Sequence, residues 1–219
     1  MTNIKSGKVS ATDIAAMEKQ YRICLINSLL GYKSLNLLGT ISEAGTTNLC
    51  VISSAFHLGA NPPLIGMVMR PAREHNDTLP NIMATGQYTL NNVLPGWYKQ
   101  AHQTSASYPS GVSEFGTCGF DEHYVPGFDA PFVQQSTVRI GLKLRETIPM
   151  QINRTTIVIG EIIEILIDDA LIGQDGTIDH VQAETMTVAG LDSYFLPRTV
   201  GRLAYAKPHI EPHEINEPS

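Results

Sequence analysis

Cysteine is scarce in this chain. The three present, Cys24, Cys50 and Cys118, are far apart and form no Cys-x-x-Cys pair. That spacing excludes a disulfide framework and a dithiol redox motif, and it suits a reducing compartment. Positive charge is also short: 15 Lys and Arg stand against 21 Asp and Glu, a formal net charge of -6. The clustered bases of a nucleic-acid surface are missing, so no nucleic-acid partner is expected. Long apolar runs are absent as well, since the stretch 23–38 is interrupted by Asn27, Ser28, Lys33, Ser34 and Asn36. No membrane span is expected. Charged residues from Lys5 to Lys19 precede any apolar run, which argues against a signal peptide and makes the cytoplasm the expected location.

Several catalytic motifs are missing too. No G-x-G-x-x-G follows a strand and no G-x-x-x-x-G-K-[ST] occurs, so Rossmann and P-loop sites have no support. Gly111-Val112-Ser113-Glu114-Phe115 fails as a nucleophile elbow because Phe115 replaces the second glycine. The seven histidines, among them His57, His75, His123 and His180, lack ligand spacing. The nearest pair is His209 and His213 in a Pro-flanked tail, and no metal site is expected.

What the chain has is a core-sized apolar fraction, 42% of 219 residues, enough for one large domain. The pattern assigns residues 1–208 to a single domain with an N-terminal helical segment, and 209–219 to an extended tail. Ser10 or Thr12 can cap a helix over Ile14, Ala15 and Met17 that continues or restarts through Tyr21, Cys24 and Ser28, and Gly31 ends it. Strands are expected near 34–42, 47–55, 63–70, 87–93, 136–146 and 149–166, with a mixed region at 95–131 and a loop at 168–186. The run Thr155–Ile167 is almost wholly β-branched, so it reads as a central strand in which Gly160 marks a bend or a close backbone approach. About six antiparallel strands with few long helices favour a mainly β, closed or nearly closed barrel over a parallel sheet.

The segment from Ser34 to Asn92 carries the most chemistry. Asp77 can cap a helix through Ile82 and Ala84 that ends at Gly86. An anion at that helix start would meet N–H groups, with Arg70, Arg73 and the Thr78 hydroxyl near in sequence. The alternative is that Asp77-Thr78 is an N-cap alone and both arginines are solvated.

Five blocks in order, 48–71, 77–93, 100–115, 157–162 and 190–195 with 201–208, resemble the flavin reductase-like, FMN-binding split-barrel family. The likeness spans about residues 20–208. The resemblance implies a Greek-key split β-barrel forming a homodimer, with FMN in a groove at the subunit interface. It further implies hydride transfer from NAD(P)H to flavin, or electron carriage by a retained flavin as in flavoredoxin. A third possibility is a dimeric barrel that holds another ligand without catalysis. Because the cofactor supplies the redox chemistry, no nucleophile is required.

By the same resemblance, Asn48, Leu49, Cys50 and Val51 would line the flavin ring and ribityl chain, with core packing as the alternative for Leu49 and Val51. Ser53 and Ser54 would bond ribityl or phosphate oxygens, and Arg70 and Thr78 the phosphate. Ser34, Leu35 and Asn36 would face the pyrimidine edge, where Asn36 or the local backbone could donate. His102 and Gln103 would lie near the open face, His102 as a positioning group or a proton donor. Two departures from the family pattern stand out: Lys33-Ser34 where many members carry Arg-Pro, and Asn76-Asp77 where many have a basic residue. Arg73 is the candidate to compensate for the second.

Overall fold

The structure is a computed structural model that describes residues 7–71 and 77–215. Two short helices come first, α1 (Ala11–Ala16) and α2 (Lys19–Ser28), neither of which contains a buried residue. The expected helix therefore restarts rather than continues. Ser10 and Asp13 form a reciprocal capping box on α1, and Gly31 follows α2 with φ +69°.

The strands that follow are β1 (Lys33–Ser34), β2 (Asn36–Ile41), β3 (Thr47–Ile52), β4 (Ala55–Ala60) and β5 (Pro63–Met69). Helix α3 (Thr78–Thr85) leads to β6 (Gln87–Asn92). The mixed region then holds α4 (Tyr98–Gln103), α5 (Glu114–Cys118), β7 (Glu122–Val125) and the start of β8 (Phe128–Val133). The long strands β9 (Val138–Pro149) and β10 (Thr156–Ile167) follow, and β11 (Thr187–Ala189) and β12 (Ser193–Phe195) come last. One seven-stranded sheet runs β3-β2-β6-β9-β10-β5-β4, and each of its neighbouring pairs is antiparallel. Strands β7 and β8 make a separate hairpin, and β1, β11 and β12 a small third sheet.

Two expectations are corrected. The strand at 47–55 breaks at Ser53-Ser54, and the chain enters a separate strand, β4, that the sequence pattern missed. Residues 150–155 form a turn between β9 and β10, closed by Met150 N–H to Thr155 O at 2.8 Å. In the C-terminal segment Ala204 N–H donates to His213 O and Ile215 N–H to Arg202 O, so it pairs with residues 202–204.

Strand β2 is buried on both faces, and its alternation separates two cores. Leu35 and Leu37 pack with Leu49, Val93, Ala101 and Phe115. Leu38 faces the opposite way, with Met67, Ile82, Tyr88, Leu142 and Val158. Gly39 is the point of closest approach. A Cβ there would strike Thr89 Oγ1 and the Pro131 carbonyl, which are themselves bonded at 2.7 Å and tie β8 to the sheet. Asn91 extends the tie, donating to Leu37 O and accepting from Val133 N–H, both at 3.0 Å.

Gly160 has the close approach expected of it. The register of β10 against β9 shifts at Ile159/Gly160, and the side of Gly160 that a Cβ would occupy is filled by the Tyr88 hydroxyl. That hydroxyl is buried with no hydrogen-bond partner among the described residues, and burial pushes the phenol pKa up. Gly160→Ala is expected to destabilise the fold by about 1–3 kcal/mol through overpacking. Tyr88→Phe, which removes an unpaired polar atom, should leave stability equal or higher. Urea denaturation of the two variants checks both.

Candidate functional site

Strand β3 is an edge of the large sheet, so alternate backbone groups point away from β2 and need partners. Side chains from the 98–122 segment provide them. Leu49 N–H donates to a Glu114 carboxylate oxygen at 3.0 Å, and Val51 N–H to Thr104 Oγ1 at 2.8 Å. Thr104 is held in place by donating to Ala101 O at 2.7 Å. At the far end Thr47 Oγ1 donates to Glu122 at 2.6 Å. This side-chain edging stops at Ser53, where the strand ends and a cleft opens.

The cleft encloses about 520 Å³, within the range of roughly 300–1,000 Å³ typical of small-molecule and cofactor sites. Its floor is β3 and the end of β5, one wall is the start of α3, and the other is α4 with β11 and β12. The α3 wall is fixed by a polar cluster: Asn48 Nδ2 donates to Thr78 Oγ1 at 3.0 Å, and Asn81 Nδ2 to Thr40 Oγ1 at 3.2 Å. Asp77 occupies the N-cap position, but its side chain makes no capping bond, a correction to the expected cap. Gly86 does terminate the helix, in the left-handed region at φ 71°. Pro80 has no N–H, which limits the donors of the first turn.

Nine of the sequence candidates line the cleft: Leu35, Asn48, Cys50, Val51, Ser53, Ser54, Arg70, Thr78 and His102. Four lie off it. Leu49 is fully buried in the core behind β3. Gln103 turns to the Tyr108 hydroxyl at 3.1 Å, and Ser34 donates to Ala55 O at 2.9 Å. Asn36 sits in the β2 ladder opposite Ile52 and Asn92. The N–H groups of Leu49 and Val51 already donate to protein, so they are not free for a ring. Arg73 and Asn76 lie outside the described residues.

Two polar groups in the cleft stand ready for a ligand. Arg70 is exposed and makes no hydrogen bond or ion pair with a described residue, and the Ser53 hydroxyl has no described partner. Ser54, in contrast, is taken up by Val68 O at 2.8 Å. Lys33 stands close behind Arg70: burial and the Arg70 charge hold its pKa below the ordinary value, and its Nζ donates to Gly190 O at 2.8 Å. The Arg70 end is therefore positive. Burial pushes the Cys50 thiol up to about 11, so it stays a thiol and not a nucleophile at neutral pH.

The cleft also has an aromatic wall. His102 Nδ1 lies 2.6 Å from Tyr194 Oη, with the rings edge to face at 5.8 Å. Tyr98 packs on Tyr194 at 5.5 Å. Burial, and then the nearby Asp192, raise the Tyr194 pKa. The sequence reading missed Thr104, Glu114 and Tyr194. Glu114 lay within a pentapeptide tested only as a nucleophile elbow, where its available signal was an acidic residue following Ser113 at a helix start. Tyr194 lay inside a block used only for the resemblance.

The flavin reductase like domain profile matches residues 33–181. The chain belongs to the flavin reductase-like family. Among solved structures, a Shewanella frigidimarina NCIMB 400 protein assigned as a flavin reductase with split barrel domain is 45% identical, with TM-score 0.88 over 92% of this chain and 100% of that one. Nitrilotriacetate monooxygenase component B from Bacillus cereus is 17% identical, with TM-score 0.78 over 89% and 98%. The flavoredoxin of Desulfovibrio vulgaris (Miyazaki F) is 22% identical, with TM-score 0.67 over 82% and 92%. The last two show the fold alone, and with the first they identify the seven-stranded sheet and its hairpin as a split barrel. Glu114 is a buried carboxylate, 9% exposed, on the lining of the cleft.

Burial raises the Glu114 pKa, the Leu49 N–H opposes that shift, and Asp77 adds to it. A carboxyl raised in the folded state supports the fold below its unfolded pKa and loses that support as pH rises through the folded value. Glu114→Gln is therefore expected to gain stability relative to wild type at about pH 8 and to lose the gain at about pH 4. Urea titrations at both pH values check the sign.

Proposed function

We propose that this protein is an FMN-binding flavin reductase that transfers hydride from NAD(P)H to flavin, and that it acts as a homodimer with the flavin at the subunit interface. One observation carries this reading: a cleft of cofactor size is lined both by Arg70, a cation with no partner among the described residues, and by the aromatic pair His102–Tyr194. Arg70 fits the phosphate, with Thr78 beside it and Lys33 adding positive potential from behind. Ser53 has a hydroxyl to give to the ribityl chain. Bound there, the flavin would accept hydride at its ring.

The chain's own part is to position and exclude. Met69, Val51 and Leu35 give the cleft an apolar floor that keeps water from a ring laid on it. His102 and Tyr194 stand edge to face on the cleft wall, where one ring face can receive a nicotinamide, and their mutual hydrogen bond fixes the orientation of both rings. The cysteines Cys24, Cys50 and Cys118 are all free, which suits a reducing cytoplasm. No described helix is long and apolar enough to cross a membrane. A second copy is favoured by strand β4, an edge of the sheet next to Ser53-Ser54, which exposes Phe56 and Leu58.

Arg70→Ala is expected to weaken FMN binding by about 1–3 kcal/mol, the worth of a charge-assisted bond, read by flavin fluorescence titration of the folded variant. Unchanged affinity removes Arg70 from the site. Anaerobic mixing of the flavin-loaded protein with NADH and with NADPH tests the reaction: rapid loss of the visible flavin band is expected with at least one. A band that stays oxidised over many seconds with both identifies a carrier instead.

A further inference from the structure

Glu114 opens α5 and lines the cleft on β3, yet it is buried. The ion pairs among the described residues are Arg145–Glu161 and Arg202–Asp175, so no described cation compensates it. A carboxylate taken out of water without a cation is costly. Leu49 N–H offsets part of that cost by donating to Oε2 at 3.0 Å. Oε1 accepts from no other described residue and is not sealed from solvent, which leaves it to the cleft.

The groups packed around Glu114 do not relieve it. Asp77, at the start of α3, adds a charge of the same sign. Cys50 on β3, Cys118 on α5 and Tyr108 in the segment before α5 all feel the carboxylate, and their raised pKa values keep each of them protonated at neutral pH. Glu122 on β7 is turned to Thr47 and Tyr124. Arg70 and His102 line the same cleft, but neither bonds Glu114.

Glu114 also sits beside the α3 wall. Its partner Leu49 lies between Asn48 and Cys50, whose side chains meet Thr78 Oγ1 at 3.0 and 3.4 Å. Three consecutive residues of one strand therefore hold both Thr78 and Glu114. A ligand phosphate at Thr78 would add a further negative charge to the one pair of carboxylates, Glu114 and Asp77, that already repel each other.

We propose that Glu114 couples the binding of a phosphate-bearing ligand in this cleft to the uptake of one proton from solvent, held at Oε1. The coupling rests on the reading that FMN occupies the cleft with its phosphate on the Arg70 and Thr78 side. A protonated carboxyl removes the like-charge repulsion and offers the cleft an O–H where the ionised form offers only acceptors. Burial already raises the Glu114 pKa, and a bound phosphate raises it further. FMN then binds most tightly where Glu114 is protonated in the free protein, and less tightly as pH rises from the free toward the bound pKa.

Calorimetric titration of the full chain, freed of flavin, with FMN in two buffers of different ionisation enthalpy counts the protons taken up. Above about pH 7 the phosphate is a dianion, so uptake there belongs to the protein. Wild type is expected to take up more than Glu114→Gln, which keeps an acceptor for Leu49 N–H but cannot titrate; what the two share belongs to His102 and other groups. Between about pH 5.5 and pH 8 the Kd for FMN should rise about tenfold more in wild type than in the variant, the effect of a one-unit shift between free and bound protein. Equal uptake and parallel pH profiles, with FMN bound by both proteins, overturn the role of Glu114 and leave the flavin site standing. FMN that binds neither protein at any pH overturns the flavin site and the coupling together. If Glu114→Gln fails to fold, the infrared difference spectrum of wild type decides. FMN should then produce a carboxylic-acid band that moves when glutamate is isotope-labelled in its carboxyl group, and absence of that band overturns the proposal.

Discussion

The fold depends on a strand that is buried on both faces. Leu37 of β2, with Leu35 just before the strand, enters one core and Leu38 the other, with Thr40 buried on the Leu38 side, so the barrel and the layer outside it share a single wall. Two cores on one strand leave no face for water, and each residue of β2 must be small, apolar or fully bonded. Gly39 meets that demand by being absent in side chain, and Thr40 by accepting from Asn81. The outer layer, which includes α4, α5 and the β7–β8 hairpin, can dock only because β2 lets it come that close.

The cleft follows from this arrangement. With β2 fixed, β3 beside it is an edge, and the outer layer satisfies that edge with Glu114 and Thr104 in place of another strand. Side chains reach where a strand would have blocked access, so the far end of β3 remains open at Ser53. The same layer brings His102 beside Tyr194. Arg70 directly follows β5, so the cation and the aromatic pair of the cleft come from different parts of the fold.

The sequence revealed the strands whose patterns were strong and local. The β-branched run at 155–167 and its glycine were legible because period and composition agreed. The break at Ser53-Ser54 was not, since two serines in an apolar run read equally well as interior residues. Asp77 looked like a cap because its type and position fit, but whether its carboxylate turns inward is decided by tertiary contacts. Nine candidate residues converge because most of them belong to β3 or to the ends and connections of the strands around it, with α3 and α4 adding Thr78 and His102. Glu114, Thr104 and Tyr194 escaped notice because their roles depend on contacts across 53 to 92 residues of chain, which no local pattern encodes.

The borrowed edging of β3 also has a consequence for biosynthesis. Strands β2 and β3 can pair as soon as they leave the ribosome, but the hydroxyl and carboxylate that cover the outer rim of β3 are made more than fifty residues later. During that interval the hairpin presents bare backbone donors to any passing chain. The nascent polypeptide is therefore most vulnerable to mispairing between the emergence of Ile52 and that of Glu114, and holding factors that shield extended chains would matter most in that window.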